Sequence, residues 1–381
     1  MTELIIDPER QKHAKKLSRI SRRVMLGELV FGFLYSLAWL YFGWSIALRD
    51  IILTLTSSEW SLVIGFAVVY VGIYSLITLP MLYYEGYVLP HRFGLSTQTF
   101  RAWVVDQLKG ALLGIVLGGF LLEVVYVLLR SAPETWWLWV GIILLLVNVI
   151  LANLAPIILM PIFYKFQSLE AEYEELMNRL ILLAEKAHTH IKGVYKFDMS
   201  SKTTTANAAL TGMGKTRRII LGDTLLDEFT VDEIETILAH ELAHHVYKDI
   251  PVGIVVQTFI TFVGLYLASL VMNWGVSKFG FNGVADLAAM PLLVLALGFY
   301  GLVTMPVENA YSRWREMRAD LYALKATGNG DAYASALVRL ANQNLSEIDP
   351  EPWVELFFHS HPALGKRIDN ARSYTNKIKA D

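Results

Sequence analysis

The 381-residue chain contains no cysteine. Disulfides, thiolate metal sites and cysteine nucleophiles are therefore excluded. Charge is scarce as well. Asp, Glu, Lys and Arg make up 18% of the residues, whereas a soluble protein of this length carries about 25%. Hydrophobic residues reach 54%. That balance excludes a disordered or fibrous chain and points to several membrane spans. The formal net charge is only −2. No overall basic field recruits nucleic acid, and none is expected as a partner.

What is present is a set of long apolar runs. About 20 consecutive apolar residues cross a bilayer as a helix. Six stretches meet or approach that length: 24–48, 61–83, 111–129, 136–163, 250–272 and 287–307. The fourth contains Pro156 and Pro161 and is expected to tilt or kink. With six spans, both termini share one side of the membrane. The other side then holds only Arg49, Arg130 and Lys278 of the 33 basic residues. Basic residues concentrate on the cytoplasmic side of membrane proteins, so the termini and the bulk of the extramembrane chain are expected there.

The fold expected is therefore a mainly α, polytopic membrane protein with about six transmembrane helices and a small β-sheet outside the bilayer. Residues 1–164 form a four-span membrane domain with a basic N-terminal segment. Residues 165–249 form one extramembrane part, 250–307 a two-span hairpin, and 308–381 a second extramembrane part. Within 165–249, residues 169–190 read as an amphipathic helix. A strand-like pair follows over 202–210 and 217–221, with Thr211-Gly212-Met213-Gly214 between them as a turn. Thr230 and Glu233 form a capping-box pattern. The helix they start is expected to run directly into the fifth span.

That helix carries His240-Glu241-Leu242-Ala243-His244. A spacing of four puts both imidazoles on one helix face, where they can reach one zinc ion. Glu241 projects beside them, able to hydrogen-bond a zinc-bound water. A catalytic zinc needs a third protein ligand and an open position. The hairpin of the fifth and sixth spans returns the chain to the same membrane face near Val307, ahead of the segment ENAYSRWREMRADLYALKA. We assign Glu316 as the third ligand. Asp320, four residues on, would receive the free ring N–H of a zinc histidine. The plainer reading of Glu308, Glu316 and Asp320 is ordinary ion pairing with Arg313, Arg315 and Arg318. His245 should face away from the metal. His361, in FFHSHPALGKRI, reads equally as an oxyanion donor and as part of a surface turn.

Several motifs in order then carry a family resemblance. These include LPMLYYEGYVLPHRFGLSTQTFRAWVVDQLKG, APIILMPIFYKF, SSKTTTANAALTGMGKTRRIILGDTLL, HELAHH, SRWREMRAD and VELFFHSHPALGKRI. Over nearly its whole length the chain resembles the type I CAAX prenyl proteases, integral-membrane zinc metalloendopeptidases of the a-factor-converting type. The resemblance implies one zinc ion on His240, His244 and Glu316, in a zincin-like cytoplasmic domain, with Glu241 as general base. It makes His361 a catalytic or substrate contact and Arg367 a neighbour of the active site. It also places Asn207 beside an edge strand that pairs with extended substrate. It implies an intramembrane chamber beneath the site. The expected partners are the lipid bilayer and a peptide or protein substrate, membrane-associated or prenylated. The chain ends without an ER-retrieval sequence, so a prokaryotic plasma membrane is the expected home. Two other readings are a quality-control protease similar to the bacterial heat-shock membrane protease, and a non-catalytic membrane scaffold.

Overall fold

The structure, a computed structural model, describes residues 5–169, 171–212 and 217–380. The chain opens with α1 (Pro8–Tyr41), whose first turn is capped by the Asp7 carboxylate accepting from the Glu9 and Arg10 amides. Gly43, in the left-handed region at φ 70°, breaks the helix and starts α2 (Trp44–Leu55). Next come α3 (Glu59–Tyr83), extended by short turns to Arg92, α4 (Phe100–Ser131) and α5 (Trp136–Leu154). A π-helical turn, Ala155–Leu159, follows α5 in the proline-containing stretch where a kink was expected. Strand β1 (Phe166–Ser168), α6 (Glu174–Lys186), β2 (Val194–Phe197), β3 (Ala208–Thr211) and β4 (Arg218–Gly222) follow. The rest is helical: α7 (Asp223–Glu228), α8 (Val231–Val246), α9 (Asp249–Phe279), α10 (Met290–Thr327), α11 (Gly330–Gln343), α12 (Pro352–Phe358) and α13 (Leu364–Ala380).

Six described helices are long and apolar enough to cross a membrane, as the hydropathy pattern predicts. The first differs from expectation. Its helix begins sixteen residues before the apolar run and stops at Tyr41, because Gly43 turns the chain. The spans pack through aromatic rings and small residues. Tyr35, Trp39, Phe66, Tyr70, Tyr126 and Trp136 are buried together with Leu265 and Met272. At Gly264 on α9, a Cβ would come 2.6 Å from the Tyr300 ring on α10. Such close approach is how membrane helices associate where lipid removes the hydrophobic drive. On the side away from the termini, Arg49 pairs with Asp286 at 2.5 Å and Arg130 with Glu59 at 3.1 Å. A cavity of about 810 Å³ lies between α1, α3, α9 and α10, with Glu28, Gln257, Glu308 and Asn309 on its wall.

Outside the spans, the sheet order is β1-β2-β4-β3, leaving β3 at an edge. β3 pairs antiparallel with β4, and β2 pairs parallel with β4. Ile219, Leu221, Leu238 and Leu242 share one core with Ala323, Leu337 and Ile368. The parts before and after the α9–α10 hairpin are thus one packed unit. The predicted strand over 202–210 is shorter than expected. Residues 202–204 instead dock on the loop after α3. Thr204 N donates to Leu95 O at 3.1 Å, Thr97 N to Lys202 O at 3.1 Å, and Lys202 pairs with Asp106 at 2.5 Å. Of the predicted turn, Met213 and Gly214 lie outside the described residues.

Candidate metal centre

Helix α8 starts as its capping box predicts. Thr230 Oγ1 accepts from Glu233 N at 3.3 Å, and the Glu233 carboxylate accepts from Thr230 N at 2.8 Å. The helix does not run into the fifth span. Lys248, at φ 55°, lies in the left-handed region and separates α8 from α9. A continuous helix would carry Asp249 well round from His244. The break folds it back, so that Asp249 Oδ2 lies 2.8 Å from His244 Nδ1.

One ligand atom from each of His240, His244 and Glu316 lies within 4.8 Å of the others. His240 Nε2 is 3.1 Å from Glu316 Oε2, and His244 Nε2 is 3.6 Å from Oε1. Each histidine is held from behind. His240 Nδ1 is 2.9 Å from Asp320 Oδ1. Arg367 grips Asp320 with two donors at 2.8 and 2.7 Å, and Tyr333 OH donates to the same carboxylate at 2.6 Å. On the other side, Asp249 is ion-paired with Arg315, whose Nη1 donates to Tyr311 OH at 2.5 Å. With Nδ1 engaged by a carboxylate on each ring, both Nε2 atoms are left for Glu316 and whatever sits between them. Glu316 Oε2 is buried and, although His240 Nε2 stands 3.1 Å away, accepts no well-directed hydrogen bond among the described residues. An orphaned carboxylate oxygen facing two imidazole nitrogens fits a divalent cation.

The electrostatics point the same way. Burial works against an imidazolium at His240, but Asp320 and Glu316 outweigh it and raise its pKa to about 9. The carboxylates thus favour positive charge at this point. Burial pushes the Glu241 carboxyl up from its ordinary value. Burial would lower the pKa of Arg367, but Tyr333, Asp320 and Glu316 outweigh it and hold it above the ordinary guanidinium value.

A cleft of about 800 Å³ opens beside the site. Glu241, Asn207, Ala208, His361 and Arg367 are among the residues on its wall. Asn207 is exposed, one residue before β3. Asn344 brackets the preceding residue, accepting from Ala206 N at 2.8 Å and donating to Ala206 O at 3.1 Å. His361 Nε2 lies 3.4 Å from Glu316 Oε2. His245 turns away and meets Leu210 O at 3.3 Å. Arg367 borders the cleft, yet its described bonds go to Asp320 and Tyr333. Asp249 and Tyr333 did not emerge from the sequence, and Arg315 did so only as an ion-pair partner for Glu308, Glu316 or Asp320, whereas the structure pairs it with Asp249. Asp249 stood in plain view five residues after His244, but on the wrong face of an unbroken helix. Tyr333 carried no local signal.

The model for peptidase family M48 matches residues 167–375, and that for the CAAX prenyl protease N-terminal region, described as five membrane helices, matches residues 2–165. The chain belongs to peptidase family M48. It is an integral-membrane metalloprotease of the CAAX prenyl protease group. In the matched N-terminal region four described helices are long enough to span, and α2, at 12 residues, is shorter. An uncharacterised Bacillus subtilis metalloprotease, YhfN, is 32% identical over 82% of this chain and 74% of its own length. CAAX prenyl protease 1 of Saccharomyces cerevisiae is 29% identical over 80% of this chain and 70% of its own. The crystal structure of S. mikatae Ste24p shares the fold, with a TM-score of 0.83 at 24% identity, covering 96% of this chain and 90% of that one.

Proposed function

We propose that this metalloprotease is a zinc-dependent endopeptidase that cuts peptide bonds at the cytoplasmic face of a prokaryotic plasma membrane. Two imidazoles and a carboxylate are a zinc donor set, and His240, His244 and Glu316 would hold one ion. Bound there, zinc supplies acidification of water and polarisation of the scissile carbonyl. Glu241 takes a proton from the attacking water and delivers it to the leaving amine nitrogen. His361, beside Glu316, donates to the carbonyl oxygen as negative charge develops on it. An extended substrate adds to the outer edge of β3 at Ala208, with Asn207 beside it. Arg367 acts through Asp320, fixing the ring of His240. Residues 165–249 and 308–381 work as one protease domain, with 1–164 and the hairpin 250–307 as its membrane part. In such a membrane, prenylation would not be required of the substrate.

The convergence of the three ligand atoms within 4.8 Å carries this reading. Glu241→Gln should retain metal and lose about 10²–10⁴-fold in peptide cleavage. His240→Ala should lose the metal itself, as measured by elemental analysis of the purified protein. Full cleavage by a metal-loaded Glu241→Gln variant overturns the assignment. Comparing one peptide with and without a prenyl group tests the substrate class.

A further inference from the structure

We propose that α12 (Pro352–Phe358) is an interfacial anchor, with Trp353, Leu356 and Phe357 seated in the headgroup–acyl boundary of the bilayer that the spans cross. This goes beyond the peptidase reading and does not depend on it. The three residues stand at i, i+3 and i+4, one face of a helical turn. They are 49%, 47% and 40% exposed. The inner side is occupied. Val354 is buried, and the Glu355 carboxylate accepts from Ala363 N at 3.1 Å and from Lys366 Nζ at 2.6 Å.

Two spans fix the depth of this helix independently. The Arg22 guanidinium lies 5.6 Å over the Trp353 ring, and Arg22 and Arg23 are the last cations before the first apolar run. Asn309 Nδ2 donates to Phe357 O at 2.6 Å, and Asn309 lies two residues beyond the last apolar run. Arg313 then holds the end of α12, donating to Glu355 O at 2.8 Å and His359 O at 2.7 Å. So α12 sits where α1 and α10 leave the hydrocarbon.

The apolar face is also continuous with the lipid-facing surface. Val303 and Val307, one turn apart at the end of the apolar run of α10, are both exposed. Tryptophan and phenylalanine beside arginines suit the boundary of an anionic bilayer, where rings enter the acyl edge and guanidiniums meet phosphate. Three residues after α12 stands His361. The anchor would therefore set the height of the cleft above the membrane.

The lack of native cysteine makes the test direct. Leu356→Cys and Trp353→Cys, each carrying a nitroxide, would be placed as full chains in phosphatidylcholine–phosphatidylglycerol nanodiscs. Asp349→Cys, in the exposed loop before α12, is the control. The ratio of oxygen to nickel-chelate relaxation should be several-fold higher at 353 and 356 than at 349. Equal ratios at all three positions place α12 in water and overturn the proposal. Spin–spin broadening at 356 that disappears on dilution with unlabelled protein assigns the face to a second copy, and overturns it equally.

Discussion

Asp249 and Asp320 give each metal-facing histidine its own carboxylate, and Arg315 and Arg367 give each carboxylate its own cation. A carboxylate at each Nδ1 favours the tautomer protonated there and turns each Nε2 toward Glu316. Asp249→Ala should therefore weaken metal binding about 10–100-fold, measured by chelator competition on the purified protein. Asp249→Asn keeps an oxygen for the Nδ1–H and should recover part of that loss. Equal affinity in all three forms would rule out the role. At this scale the convergence of His240 and His244 was legible, because helical spacing alone brings them to one face. Their supports were not. Tyr333 reaches Asp320 across 13 positions and a helix boundary, and no periodicity encodes that contact.

Among the elements, α8 was the most readable, since a capping box is a local pattern with a local cause. Glu233 does more than cap. Its carboxylate also accepts from Ser335 at 2.6 Å and pairs with Arg339 at 3.2 Å, tying α8 to α11. Thr230→Ala should cost about 1 kcal/mol of stability, and Glu233→Ala more, seen as a larger fall in the thermal midpoint. The end of α8 was illegible. Lysine gives no sign of a left-handed residue, whereas glycine would have. Lys248 adopts that conformation at a cost of roughly 1–2 kcal/mol relative to the right-handed helix. Lys248→Gly should raise the thermal midpoint while leaving the His244–Asp249 contact and peptide cleavage intact. Lys248→Val should lower both stability and metal retention.

For the molecule as a whole, hydropathy and the placement of basic residues disclose the spans, but not which helices touch. Neither discloses the docking of residues 202–204 on the loop after α3, which depends on hydrogen bonds more than 100 residues apart. The α9–α10 pair matters most to the site, because α9 begins with Asp249 and α10 carries Glu316. Gly264 lets the two approach, and Tyr300 OH donates across to Ile260 O at 2.8 Å. Gly264→Val should cost about 1–3 kcal/mol through overpacking. It should reduce metal retention along with stability, although the substitution is remote from every ligand. Unchanged metal content at a lowered midpoint would show that the hairpin does not transmit strain to the site.

Helix α10 runs unbroken for 38 residues, from the far membrane face to beyond Glu316. It is a lever whose fulcrum lies in the lipid, with Pro306 interrupting the backbone hydrogen bonds between that fulcrum and Glu316. Glu316 stands about 27 Å above the middle of its apolar stretch at 1.5 Å per residue, so a 5° change in tilt would move it by about 2 Å. Helices answer a thinner or thicker bilayer by tilting. Turnover in vesicles of graded acyl-chain length should thus pass through a maximum, with the chemistry tuned by membrane thickness as well as by the residues around the metal.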